Sequence, residues 1–231
     1  MNFRAVIFDL FGTLVDGFVA VSGSYQEDFA AALGVEHDAF MQRWRQISNN
    51  RTLGDFQTVE ASIEHVCDQM GAPVKTEQLA KAVDIRLELT RRALAPKADA
   101  LSTVAQLKTA GFKVGLLSNC SIEIPLVWPE TDLAEWFDAA IFSSRERLKK
   151  PDPRIYNLAC ARLGVPPEDC LYIADGENHE LAAAAGVGMH PVLVRNSTQG
   201  QGSEVLREAR EWRGTAISAL PEALPLLGLP R

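Results

Sequence analysis

The sequence predicts an α/β fold, a doubly wound parallel sheet with an inserted all-helical domain. Three observations carry this reading. Short apolar segments that end on polar residues recur along the chain, and helical patterns separate them. Between the first and second of these segments, residues 16–94 hold amphipathic patterns and no convincing strand.

The first segment, Val6-Ile7-Phe8-Asp9-Leu10-Phe11-Gly12-Thr13-Leu14-Val15-Asp16, is apolar, begins with β-branched residues and reads as a buried parallel strand. Ligands bind at the carboxyl ends of such strands in open α/β sheets, so Asp9 stands where chemistry takes place. Gly12 permits a tight turn there, and Thr13 adds a hydroxyl. The plainer alternative is a strand that ends in a capping aspartate. The next block carries helical patterns over Tyr25–Leu33, Phe40–Ile47, Phe56–Met70 and Thr76–Ala93, punctuated by Gly34, Gly54 and Gly71-Ala72-Pro73. It reads as a cap over the strand tips, hinged near 16–23 and 94–97, on a core of residues 1–15 and 95–231.

A helix over Ala98–Ala110 then leads to a strand, Phe112–Leu117, that ends on Ser118-Asn119. Ala139–Phe142 ends on Ser143-Ser144. A helix over Ile155–Leu163 precedes the strand Cys170–Ala174, which ends on Asp175. A helix over Glu180–Ala185 precedes Pro191–Val194, which ends on Arg195. Asn196–Ser203 reads as a flexible loop, followed by a charged helix and a short element over Ile217–Leu227. Parallel alternation would bring Asp9, Ser118 and Asp175 to one edge of the sheet.

At 231 residues the chain suits one α/β domain with an insertion, or two small domains. A net charge of -7 argues against a broad nucleic-acid or anionic-membrane surface but leaves room for a small anionic substrate. No apolar run approaches the ~20 residues of a membrane span. Met1–Arg4 leads straight into the first strand, which leaves no room for a signal peptide. Cys67, Cys120, Cys160 and Cys170 form no close-spaced pair and read as reduced, buried thiols of a cytoplasmic protein. His65 and His179 lack ligand-spaced partners. Nothing in the pattern speaks to oligomeric state.

Four segments together resemble the motifs of the haloacid dehalogenase-like hydrolases. Asp9-Leu10-Phe11-Gly12-Thr13 is similar to the first motif. Leu116-Leu117-Ser118-Asn119 is similar to the second, Lys150-Pro151-Asp152-Pro153-Arg154-Ile155-Tyr156 to the third, and Asp175-Gly176-Glu177-Asn178-His179-Glu180 to the fourth. They keep the family's order and spacing over residues 6–188. The resemblance implies that Asp9 is a nucleophile surrounded by Thr13, Ser118, Asn119 and Lys150. It further implies Mg²⁺ held by Asp9, Asp175, Glu180 and the backbone carbonyl of Phe11, with Phe11, Gly12 and the cap residue Arg45 facing substrate. Read without it, Lys150 is a surface lysine, Ser118-Asn119 a helix cap, Asp175 a loop cap, and Glu180 an acid in a helix's first turn. Arg43-Trp44-Arg45 is then a helix with one buried Trp face.

Phe11 stands where phosphatases of this family carry a second aspartate as general acid and base, help typically worth ~10²–10⁴ in rate. Phosphoryl hydrolysis would then be confined to easily expelled leaving groups such as acyl phosphates. The 2-haloacid dehalogenases of the family instead expel halide, which needs no proton, and use no metal. Asp9-Leu10-Phe11-Gly12-Thr13-Leu14 resembles their D-x-Tyr-G-T-L, and Trp44-Arg45 resembles a Trp-Arg of their cap. Against that likeness, Asp175 stands where they carry a serine, and a carboxylate there repels a haloacid. The sequence alone therefore favours Mg²⁺-dependent phosphoryl hydrolysis of a small anionic metabolite. Metal-independent 2-haloacid dehalogenation and a catalytically weak metabolite-binding role are the alternatives.

Overall fold

The computed structural model describes residues 2–21, 25–195 and 207–230. The predicted loop Asn196–Ser203 and part of the first predicted hinge lie outside them. Six strands form one parallel sheet: β1 (Ala5–Phe8), β2 (Lys113–Ser118), β3 (Ala139–Phe142), β4 (Cys170–Ala174), β5 (His190–Val194) and β6 (Ala216–Ile217). Their order across the sheet is β3-β2-β1-β4-β5-β6, so β1 lies between the two strands whose tips carry Ser118 and Asp175. The sequence reading missed β6, a two-residue strand too short for periodicity to register.

Alternate residues of β1 serve opposite faces of the sheet, as the pleat dictates. Val6 and Phe8 enter a core with Val104 and Leu107 of α6 (Ala100–Thr109). Ala5 and Ile7 enter the other, with Ile155 and Ala159 of α9 (Pro153–Leu163) and Leu181 and Ala184 of α10 (Glu180–Gly186). Helices on both faces explain why β1 is apolar throughout and not alternating.

Between β1 and β2 the described chain is helical: α1 (Tyr25–Leu33), α2 (His37–Gln46), α3 (Ser48–Thr52), α4 (Val59–Gln69) and α5 (Thr76–Ala93). These helices bury a cluster of their own around Phe29, Phe40, Trp44, Ile63 and Val66. Trp44 packs edge-on to Phe29 and parallel to Phe40. The chain crosses to and from this block side by side, Val15 pairing with Pro96.

The block is seated on the strand tips. Thr52 O at the end of α3 accepts a hydrogen bond from Ser143 Oγ at 2.8 Å, in α8 (Ser143–Glu146) directly after β3. Gly54 approaches so closely that a Cβ would lie 1.9 Å from Ser144 O, and its φ is +71°; only glycine fits both demands. Arg86 of α5 donates twice to Glu123, the first residue of α7 (Glu123–Val127), in a buried ion pair.

Burial raises the Glu123 carboxyl, but the Arg86 and Arg51 charges outweigh it and bring it down to about 2. A depressed folded-state pKa gives stability that is present above the ordinary value and lost as pH falls toward the depressed one. The shift corresponds to about 3 kcal/mol. Chemical unfolding followed from pH 4.5 to 2 should therefore show a loss of about that size in the wild type and a smaller one in Glu123→Gln.

Candidate active site

Asp9 continues β1 by one residue and donates its backbone N–H to Ile173 O of β4 at 2.9 Å, which fixes it at the tip of the central strand. The residue is almost wholly enclosed, at 6% exposure. Thr13 Oγ1, brought back by the turn at Gly12, donates to Asp9 Oδ2 at 3.2 Å. Lys150 Nζ donates to Asp9 Oδ1, to Glu180 Oε2 at 2.6 Å and to Tyr172 OH at 3.2 Å. Lys150 is thus a buried ammonium between two carboxylates, and their charges outweigh burial in raising its pKa.

Asn119 works through Lys150. Its Oδ1 accepts from Lys150 N at 2.8 Å, and its Nδ2 donates to Lys150 O at 3.0 Å. The carboxamide pins the lysine's backbone from the tip of β2. α9 begins just beyond at Pro153, where its fixed φ suits a helix start. Glu180 is anchored as firmly. Its Oε1 accepts from Gly176 N and Glu177 N, its Oε2 from Tyr172 OH at 2.7 Å, and Tyr156 OH donates to its backbone carbonyl. Glu208 of α11 (Arg207–Glu211) accepts the Leu181 and Ala182 N–H groups, the free donors at the start of α10.

Asp175 faces Gly12 across the site. A Cβ on Gly12 would lie 2.2 Å from Asp175 Oδ2, and Gly12 φ is +74°, so the sequence places glycine where a side chain would close the site. After Asp175 the chain turns through left-handed conformations at Gly176, Asn178 and His179. These aim Glu177 and Asn178 at a small cavity of about 30 Å³ that Asp9, Phe11, Asn119, Lys150 and Glu180 also line. Phe11 lines this cavity and packs its ring 5.7 Å from that of Phe18. Ser118 Oγ, buried at the tip of β2, has no oxygen or nitrogen partner of its own.

Most residues singled out from the sequence therefore meet at one edge of the sheet. Arg45 does not join them: it is exposed on α2 and is not among the residues lining the cavity. The sequence reading passed over Tyr172, a phenol inside an otherwise apolar strand, and Arg86 and Glu123, which lie 37 residues apart and meet only in the fold.

Carboxylate oxygens of Asp9, Asp175 and Glu180 lie within 4.8 Å of one another. Three acids against one ammonium leave an excess of negative charge, and the cluster relieves it by holding protons. Burial, then the charges of Asp9 and Glu180, push Asp175 up to about 9. Burial pushes Asp9 to about 7 against the pull of Lys150. Asp175 is thus biased toward its protonated form, which donates a hydrogen bond as a serine hydroxyl would.

A family model for haloacid dehalogenase-like hydrolases matches residues 3–188. An (S)-2-haloacid dehalogenase of Pseudomonas putida is 31% identical over 88% of this chain and 89% of its own length. The (S)-2-haloacid dehalogenase 4A of Burkholderia cepacia is 30% identical over 84% and 83%. The crystal structure of a dehalogenase with an intermediate complex superposes with a TM-score of 0.64 at 26% identity, covering 99% of both chains.

These relatives overturn the expectation of phosphoryl hydrolysis, and with it Mg²⁺ and the metal-ligand roles expected of Asp9, Phe11, Asp175 and Glu180. The expectation counted Asp175 as a fixed negative charge that calls for a cation. Burial and the charges of Asp9 and Glu180 instead push its pKa up, and Lys150 supplies a positive charge beside Asp9. No described helix is long and apolar enough to cross a membrane. The family match, together with the four motifs gathered around Asp9, makes the chain a member of the haloacid dehalogenase-like hydrolases.

Proposed function

We propose that this hydrolase releases halide from a small (S)-2-haloacid through an ester on Asp9, without metal. The observation that carries the reading is the pairing of a buried Asp9, held by Thr13 and Lys150, with an aromatic ring at position 11 in place of a general acid. The likeness to (S)-2-haloacid dehalogenases points the same way.

The Asp9 carboxylate attacks C2 of the acid. A C–O bond forms as the carbon–halogen bond breaks, and the halide leaves with the electron pair. Halide needs no proton, so Phe11 costs the reaction nothing, and its ring keeps water away from the reacting carbon. Water then cleaves the ester at its acyl carbon, returning Asp9 and releasing a 2-hydroxyacid and one proton. Displacement inverts C2 and ester cleavage leaves it untouched, so an (S)-haloacid yields the (R)-hydroxyacid. Ser118 Oγ and neutral Asp175 offer hydrogen bonds to the substrate carboxylate, and Lys150 offsets the charge that it brings. Asn119 sets Lys150 in place, and Gly12 keeps space open beside Asp175. Residues 16–94 form the cap and residues 1–15 and 95–231 the catalytic core.

Halide release from (S)-2-chloropropionate in EDTA tests this directly. Turnover that needs Asp9 and ignores EDTA is expected; a folded protein that releases no halide from a panel of 2-haloacids sinks the proposal. The pH dependence follows from the two acids. Asp9 must be ionised, so activity falls as pH drops through about 7. Asp175 must be protonated, so activity falls again as pH rises through about 9. Asp175→Ser should keep the acid limb and lose the alkaline one, which a kcat/KM profile from pH 5 to about 10.5 would show.

A further inference from the structure

Two of the cysteines meet in the core behind the active site. All four are buried and unbridged. Cys160 and Cys170 stand 10 positions apart in sequence, yet their Sγ atoms lie 3.7 Å from each other. Cys160 points inward from α9 and Cys170 opens β4, both within the same apolar cluster. A disulfide needs its sulfurs about 2.05 Å apart, so each has roughly 0.8 Å to travel, a distance that small χ1 rotations supply.

The pair adjoins the groups that hold Lys150 and Glu180. Tyr156 lies one turn before Cys160 on the same face of α9, and Tyr172 lies two residues after Cys170 on the same face of β4. The two rings meet edge to face with centres 5.5 Å apart. Tyr156 OH donates to Glu180 O, and Tyr172 OH to Glu180 Oε2 while it accepts from Lys150 Nζ. The α9–β4 contact that seats the site's ammonium therefore runs from the tyrosine pair back to the cysteine pair.

The four thiols differ. Burial pushes Cys67 up to about 11 and Cys120 up to about 12, so both stay protonated near neutral pH. Contact with Cys170 instead holds Cys160 below the ordinary thiol value. Cys170, which also donates to Pro166 O at 3.3 Å, is held above it. Cys160 is thus the sulfur placed to attack an oxidant and Cys170 the one placed to resolve the product.

We propose that Cys160 and Cys170 form a peroxide-responsive thiol pair, which closes to a disulfide and staples α9 to β4 behind the active site. The oxidant is hydrogen peroxide, small and uncharged, which suits residues only 3% and 0% exposed. The Cys160 sulfur takes one peroxide oxygen: an S–O bond forms, the O–O bond breaks, and the other oxygen leaves as water with the Cys160 proton. The Cys170 sulfur then displaces the sulfenic hydroxyl. An S–S bond forms, and a second water leaves with the Cys170 proton. Two thiols lose two electrons and two protons, and peroxide is reduced to two waters. The staple is independent of the reaction at Asp9.

Mass spectrometry tests this on the native full chain after hydrogen peroxide, alkylation in urea and digestion with trypsin. Trypsin cuts after Arg154, Arg162 and Arg195, so the two cysteines fall in separate peptides, 155–162 and 163–195. The expected product is these peptides joined and two hydrogens lighter than the pair, with Cys67 and Cys120 alkylated as free thiols. Dithiothreitol should reverse it. Closure should also raise Tm by roughly 4–10 °C, a gain that Cys160→Ser and Cys170→Ser lack. Free Cys160 and Cys170 after peroxide, arrest at a Cys160 sulfinic acid, or linkage seen only when peroxide is added to urea-unfolded protein overturns the pair. An unchanged or lower Tm on closure overturns the staple.

Discussion

Asp9→Asn lowers halide release from a 2-haloacid by at least ~10⁴-fold, the scale of loss when a covalent nucleophile is removed. The amide keeps the shape of the side chain; its one oxygen can still accept from Lys150, and its Nδ2 can donate to the Thr13 hydroxyl, so packing is preserved. Burial already disfavours the Asp9 charge, as its raised pKa records. The amide removes that buried charge, so Tm should stay within a few degrees of wild type while activity disappears. Initial rates beside a thermal melt check both halves. Appreciable residual turnover would mean that another group attacks the substrate.

Lys150→Met should fail differently. Lys150 is 4% exposed and is the ammonium that contacts both Asp9 and Glu180. Removing it leaves buried carboxylates facing one another, and breaking such a pair costs about 3–5 kcal/mol. For a chain of this size that means a Tm lower by about 6–20 °C. The pKa of Asp9 should climb once its main opposing charge is gone, moving the acid limb of the rate profile above its position near 7. Activity at neutral pH then falls through loss of the ionised nucleophile and partly returns at higher pH. A melt and a pH profile together separate this from Asp9→Asn, whose loss no pH restores.

Much of this site was legible in the sequence because its residues stand at strand tips, and strand tips can be read from where apolar runs end. Asp9, Ser118 and Asp175 close such runs, and a parallel sheet with β1 between β2 and β4 gathers them. Trp44 was read as the buried face of its helix, and it is buried against Phe29 and Phe40.

Other features had no local signal. α3, Ser-Asn-Asn-Arg-Thr, has no apolar residue and therefore no periodicity, yet it carries Arg51. The Arg86–Glu123 pair and the Asn119 clasp on Lys150 join residues 37 and 31 positions apart. The sequence also prints aspartate at 175 without its protonation state. That state depends on burial and on the neighbouring Asp9 and Glu180, both supplied by the fold. Reading Asp175 as a fixed charge is what tilted the sequence toward a metal and a phosphoryl substrate. A carboxyl biased toward its protonated form weakens the objection to a haloacid.

The most direct test of covalent, metal-free catalysis is a single turnover of (S)-2-chloropropionate by excess protein in ¹⁸O-water with EDTA, followed by mass spectrometry of the Asp9 peptide and of the product. An ester cleaved at its acyl carbon predicts ¹⁸O in Asp9 and an unlabelled new hydroxyl in the 2-hydroxyacid. Label in the product hydroxyl and none in Asp9 would mean that water attacks C2 itself, and the nucleophilic role of Asp9 would be wrong.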